Sequence, residues 1–160
     1  MTETISINVG DKAPSFCLKD KDEKETKLSD LKGKWAVVYF YPKDLTPGCT
    51  KEAIEFTAHK EDFNKIGAEI LGISADSTES HAKFTMKKDL TITLLSDPDR
   101  EAINKFGVWM MKGILGSNSF GVERATFIID PDGNIAHAWR SVKVDGHVEE
   151  VLTTLKNLKK

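Results

Sequence analysis

Trp35-Ala-Val-Val-Tyr-Phe-Tyr41 runs straight into Pro42-Lys-Asp-Leu-Thr46-Pro47-Gly48-Cys49-Thr50-Lys51-Glu52. The first part is almost wholly apolar and rich in β-formers. That is the composition of a strand buried on both faces. Pro42 ends it. Thr46 suits an N-cap and Pro47 the first helical position, so a helix begins there. Cys49, Ala53, Phe56, Phe63 and Ile66 then fall on one stripe at helical spacing, and Gly67 closes the helix.

The rest of the chain continues the alternation. Downstream, the pattern predicts a strand over 68–75, a helix over 78–88, a strand over 92–95 and a short helix over 100–106. A glycine-punctuated loop reaches Gly121. Strands over 125–130 and 134–140 follow, joined by the turn Pro131-Asp-Gly133. The last helix puts Val148, Val151, Leu152, Leu155 and Leu158 on one face. Upstream, Gly10-Asp-Lys-Ala-Pro14 is a turn. Phe16 and Leu18 alternate with Ser15, Cys17 and Lys19 as a half-buried strand, and 26–28 returns as its hairpin partner. Strands joined through helices are parallel and the late hairpin is antiparallel. The expected architecture is α/β, a mixed central sheet flanked by helices, with an N-terminal β-hairpin extension. One domain spans 1–160.

Composition narrows the function. A chain of 160 residues, 39% hydrophobic and 30% charged, has an ordinary globular balance. A net charge of −2, with basic residues spread among acidic ones, predicts neither a nucleic-acid nor a membrane partner. There is no leader-like start and no apolar run of membrane length, so the cytoplasm is the expected location. Dinucleotide, P-loop and H-E-x-x-H signatures are absent. His59, His81, His137 and His147 have no ligand spacing, so no metal or cofactor is expected and these are solvated or structural histidines. Two cysteines, Cys17 and Cys49, without a C-x-x-C, rule out both a disulfide framework and a single-motif dithiol.

Cys49 stands in the first turn of its helix, directly after a buried strand. Helix N-termini carry partial positive charge and unpaired N–H groups, which favour a thiolate, the nucleophilic form. Gly48 leaves room for a small substrate against the backbone. The alternative is that Cys49 is a buried apolar residue at the head of its stripe.

Pro42-x-x-x-Thr46-x-x-Cys49 matches the peroxiredoxin signature P-x-x-x-T-x-x-C, and Phe40-Tyr-Pro-Lys-Asp-x-Thr-Pro-Gly-Cys49-Thr resembles the bacterioferritin comigratory protein, or peroxiredoxin Q, subfamily. Gly10-Asp-Lys-Ala-Pro-x-Phe16, Leu71-Gly-Ile-Ser74, Leu94-Leu-Ser-Asp97, Phe106-Gly-Val-Trp109 and Arg124-x-Thr-Phe-Ile-Ile-Asp130 resemble it too, in the family's order. The resemblance implies a thioredoxin-like fold and reduction of hydrogen peroxide or organic hydroperoxides through a Cys49 sulfenic acid. It also implies site residues. Arg124 supplies positive charge beside the thiolate; the other reading is a surface ion pair with Glu123 or Glu149. Thr46 hydrogen-bonds the thiolate or peroxide, or simply caps the helix. Pro42 shields the thiolate. Glu52 orients Arg124, although a solvated acid at a helix N-terminus is the stronger reading of its sequence context.

The chain departs from its relatives in one respect. The position five residues after Cys49, a common site for a resolving cysteine, is Ile54, and 78–88 holds no cysteine. Cys17 reads as passive. The resemblance then implies one-cysteine behaviour, with a small thiol or a thioredoxin-like protein closing the cycle, in a monomer or weak homodimer. The apolar stretch from Trp109 to Gly116 lines a pocket mouth or a dimer contact, or folds back on the core. A non-catalytic redox-sensing or chaperone-like module, and a thiol transferase, are the alternatives from other classes.

Overall fold

The computed structural model describes residues 7–112 and 119–159. At its centre lies β3 (Trp35–Phe40), with β4 (Ala68–Ser74) parallel on one side and β8 (Ala125–Ile129) antiparallel on the other. The apolar run is buried on both faces, as its composition requires. Ala36, Val38 and Phe40 enter one core, and Val37, Tyr39 and the following Tyr41 enter the other. β5 (Thr93–Ser96) extends the parallel set beyond β4, and β9 (Ile135–Trp139) pairs antiparallel with β8. The N-terminal hairpin, β1 (Cys17–Lys19) and β2 (Glu25–Lys27), docks antiparallel on β5. The sheet therefore has seven strands in the order β2-β1-β5-β4-β3-β8-β9.

Helices cover both faces. α1 (Pro47–Ala58), α2 (Lys60–Lys65), α3 (Thr78–Lys88) and α5 (His147–Leu158) pack against the Tyr39 side, through Phe56, Phe63, Phe84 and Val151 among others. α4 (Glu101–Lys105) lies on the opposite face, where Ala102, Ile103 and the following Phe106 are fully buried. No helix among the described residues is long and apolar enough to cross a membrane.

Two expectations are corrected. The single helix predicted from Thr46 to Gly67 is two, because the chain turns at His59 (φ −101°, ψ 5°). Phe56 and Phe63 still reach the same core on either side of that bend, with ring centroids 6.0 Å apart. No glycine or proline marks the break. The predicted loop between α4 and Gly121 instead contains a hairpin, β6 (Trp109–Lys112) and β7 (Ser119–Val122). Half-buried Trp109 packs on the core and stacks on Phe120, under the Arg100 guanidinium, while Met110, Met111 and Phe120 are exposed. Ile114 and Leu115 lie outside the described residues.

Gly72 on β4 lies under the Tyr39 ring. A Cβ there would sit 2.7–2.8 Å from two ring carbons and the hydroxyl oxygen of Tyr39. Tyr39 is itself fixed by stacking on Phe56, centroids 4.5 Å apart. Gly72→Ala therefore overpacks the core and is expected to cost about 1–3 kcal/mol. Urea unfolding of the purified variant checks this; an unchanged midpoint refutes the packing argument.

Candidate active site

The segment between β3 and α1 carries the site, and buried polar contacts hold it. The Tyr41 hydroxyl donates to Asp44 Oδ1 (2.6 Å), and the Ser80 hydroxyl to Asp44 Oδ2 (2.8 Å). His81 is fully buried, with Nδ1 2.7 Å from Asp44 Oδ2 and Nε2 3.0 Å from the Leu95 carbonyl. A carbonyl only accepts, so Nε2 is the donor toward Leu95. The Asp44 amide in turn donates to Asp76 Oδ2 (2.9 Å). This anchor ties the loop to α3 and the ends of β4 and β5. His81 is thus one of the expected structural histidines, but its partner is 37 residues away, and no local pattern announced the pairing. Next to Asp44, Leu45 adopts the left-handed conformation (φ 63°), an uncommon state for a branched side chain.

Thr46 occupies the N-cap position of α1 with extended backbone (φ −84°, ψ 154°), but its hydroxyl does not cap the helix. It turns back and donates to the Lys43 carbonyl (2.8 Å). Half-buried Pro42 follows the strand as expected. Cys49, in the first turn, is 1% exposed. Arg124, in the short link before β8, reaches it, with Nη2 3.3 Å from Sγ. Gly48 permits this approach, since a Cβ there would stand 3.1 Å from Arg124 Nη2.

The second arm of the guanidinium corrects two sequence readings. Arg124 Nη1 donates to Glu52 Oε1 at 2.7 Å. Glu52 is not a solvated acid, since its side chain is 0% exposed. It lies three residues after Cys49 and four before Phe56, on the apolar stripe itself, so helical spacing contained the signal. Nor does Arg124 pair with Glu123 in the described structure. Glu123 binds Arg140 instead (2.8 and 2.9 Å). Burial raises the Glu52 carboxyl to about 7, against the lowering effect of Arg124. His147 is bonded to the Thr126 hydroxyl (2.8 Å), and burial, with a smaller lowering effect of the Arg124 charge, pushes it down to about 4.

Cys17 sits elsewhere. Its thiol donates to Glu25 Oε2 (2.7 Å), and that bond, first among the causes, raises its pKa and keeps the proton on sulfur. In the sheet, β5 and β4 separate β1 from β3. Three strand spacings, about 14 Å, thus separate the strand of Cys17 from the strand that leads into α1, whereas a disulfide tolerates roughly 7 Å between Cα atoms.

Chemically, the arrangement is a buried sulfur held by a fixed cation at a helix N-terminus, suited to nucleophilic attack that leaves negative charge on a departing atom. Comparison with known proteins agrees with this chemistry. Residues 9–138 match the model of the AhpC/TSA family. The chain is 46% identical to peroxiredoxin Bcp of Bacillus subtilis over 154 residues, covering 96% of this chain and 98% of that one. It is 41% identical to peroxiredoxin Bcp of Escherichia coli over 150 residues, 94% and 96% of the two chains. Among solved structures it superposes on a mutant of peroxiredoxin Q from Xylella fastidiosa with a TM-score of 0.92 at 40% identity, covering 96% and 98%. For the Xanthomonas campestris bacterioferritin comigratory protein, solved in trapped intermediate and ligand complexes of its alkyl peroxide reduction, the TM-score is 0.87 at 42% identity over 91% and 92%.

Proposed function

The chain belongs to the AhpC/TSA family, on its Bcp/peroxiredoxin Q branch, and is a thiol peroxidase of thioredoxin-like fold; from that premise we propose that Cys49 is the attacking thiol and Arg124 its fixed cation. The observation that carries this reading is the Arg124 guanidinium, hydrogen-bonded at once to Cys49 Sγ and to Glu52. The Cys49 thiolate attacks one peroxide oxygen in line with the O–O bond. An S–O bond forms, the O–O bond breaks, and the sulfur becomes a sulfenic acid while the departing oxygen leaves as water or alcohol. Arg124, aimed at the reacting sulfur, stabilises the charge moving onto that oxygen. Thr46 has its proton engaged by Lys43, so its oxygen acts toward the peroxide as an acceptor for the hydroperoxide hydrogen. Pro42 closes one side of the approach. By analogy with the alkyl peroxide reduction of the Xanthomonas relative, organic hydroperoxides are substrates beside hydrogen peroxide.

The reducing half-cycle rests on an external thiol, small or thioredoxin-like, available in a reducing cytoplasm. The protein acts there as a monomer or weak homodimer. Its other thiol is protonated and about three strand spacings from the strand that leads to Cys49. One equivalent of peroxide is therefore expected to give Cys49 sulfenic acid and no Cys17–Cys49 disulfide, and Cys17→Ser turns over at the wild-type rate. Intact mass and non-reducing peptide mapping, with peroxide consumption measured over a panel of reductants, test both halves. A rapid internal disulfide, lost together with turnover in Cys17→Ser, refutes the external-thiol cycle; absence of peroxide consumption with every reductant refutes the Cys49 assignment.

A further inference from the structure

Two acids share one guanidinium at the head of α1. Cys49 and Glu52 are both essentially shut off from solvent, and both are bonded to Arg124. Among the described residues, the only ion pair of Glu52 is with Arg124. One cation balances one anion. Ionising both acids leaves a net buried negative charge, and protonating both leaves a net buried positive one; each is costly away from water. The groups facing the cluster do not relieve this. From β3, the Tyr39 hydroxyl is buried with no hydrogen-bond partner among the described residues, and the nearby Glu52 and Cys49 charges add to burial in keeping it protonated. From the loop, Asp44 is committed to Tyr41, Ser80 and His81. From α1, Glu55 adds negative charge, and from α5 His147 is held neutral. Lys51 pairs with Asp145 at the surface.

We infer that Cys49 and Glu52 hold one proton between them, and that in the reactive state it rests on Glu52. The helix N-terminus favours the anion on sulfur, since Cys49 stands in the first turn, where N–H groups lack helical partners. Glu52, a turn later, has none of these. Its Oε2 is buried without a partner among the described residues, a poor setting for a carboxylate and an acceptable one for a carboxylic acid. The raised Glu52 carboxyl agrees with this placement. Glu52 is then a positioning residue that also stores the proton lost by the thiol. Attack balances as Cys49 thiolate, hydroperoxide and Glu52 acid giving Cys49 sulfenic acid, alcohol and Glu52 carboxylate. Sulfur is oxidised, the peroxide oxygen is reduced, and the proton passes in net terms to the departing oxygen. Once sulfur is uncharged, Arg124 is left with Glu52 alone, and the carboxylate is stable.

This deepens the thiol-peroxidase reading and rests on it, but its test uses no peroxide, so the two fail separately. Cys49 is alkylated with iodoacetamide at neutral pH in a Cys17→Ser background, and the carboxylic-acid carbonyl stretch is followed by difference infrared spectroscopy. The expected result is an acid band before alkylation that disappears afterwards, with about one proton released per chain in weak buffer. In Glu52→Gln neither the band change nor the proton release occurs, while alkylation itself proceeds and its onset moves to lower pH. No acid band in the unalkylated protein overturns the inference without reliance on any Glu52 variant. So does equal proton release with and without Glu52.

Discussion

Cys49→Ser is expected to lower peroxide turnover by at least about 10⁴-fold, the scale on which removal of a nucleophile acts. A hydroxyl remains almost wholly protonated at neutral pH, and the site offers no second thiol among the described residues. Cys17 cannot substitute, because Glu25 holds its proton on sulfur and it lies in another part of the sheet. The fold should survive, since serine is nearly isosteric and the Arg124–Glu52 pair stays closed. Peroxide consumption with a saturating reductant measures the loss, and circular dichroism checks the fold. Turnover within tenfold of wild type means that Cys49 is not the nucleophile.

Arg124→Ala should produce the next largest effect. Two consequences are separable because the guanidinium has two partners. At Cys49, thiolate formation shifts to higher pH, and the rate constant for peroxide falls by about 10²–10³-fold, comparable to losing one aimed donor. At Glu52, a buried acid loses its only ion-pair partner among the described residues. Breaking a buried pair commonly costs about 3–5 kcal/mol, but here the carboxyl, already raised to about 7, escapes by remaining protonated. The stability cost is therefore expected to lie below that range near neutral pH and to grow as pH rises. The sign follows from the direction of the shift. Raised above its ordinary 4.5, Glu52 favours the folded state only where it is protonated, and that contribution fades between about 4.5 and about 7 in the wild type. Without the cation the decline continues to higher pH. Arg124→Lys restores charge but not two diverging N–H donors, so it recovers part of the rate. Stopped-flow peroxide reduction and urea unfolding across pH read the two effects. An unchanged peroxide rate constant removes Arg124 from the mechanism.

Much of the fold was legible because its signals are local. The both-face burial of β3 follows from seven residues with hardly a polar side chain, and the start of α1 follows from a proline at the first helical position. α3 was bounded correctly at Thr78 and Lys88, where Ser77 caps one end through the Ser80 amide and lysines sit in the last turn. The misses have physical reasons. The bend at His59 comes without a glycine or proline, so no local residue type announces it. The β6–β7 hairpin carries exposed Met110, Met111 and Phe120, so alternation did not separate an inner face from an outer one. At the site, Cys49 was legible as a thiol in the first turn of a helix after a buried strand, while the roles of Thr46, Pro42 and Arg124 came from the resemblance. Glu52 was misjudged because an acid in a first helical turn usually points to water, although its place on the stripe said otherwise. The Asp44–His81 anchor joins elements that only the assembled sheet brings together.

The two halves of the Cys49–Arg124 contact lie 75 residues apart in the chain. During synthesis, α1 emerges long before β8 does, and β8 must then insert antiparallel beside β3 before the guanidinium can reach the sulfur. Until that insertion the cysteine lacks its cation, and on the proposed mechanism it is expected to meet peroxide as an ordinary, slow-reacting thiol. The appearance of fast peroxide reactivity in a refolding chain is therefore expected to track completion of the sheet.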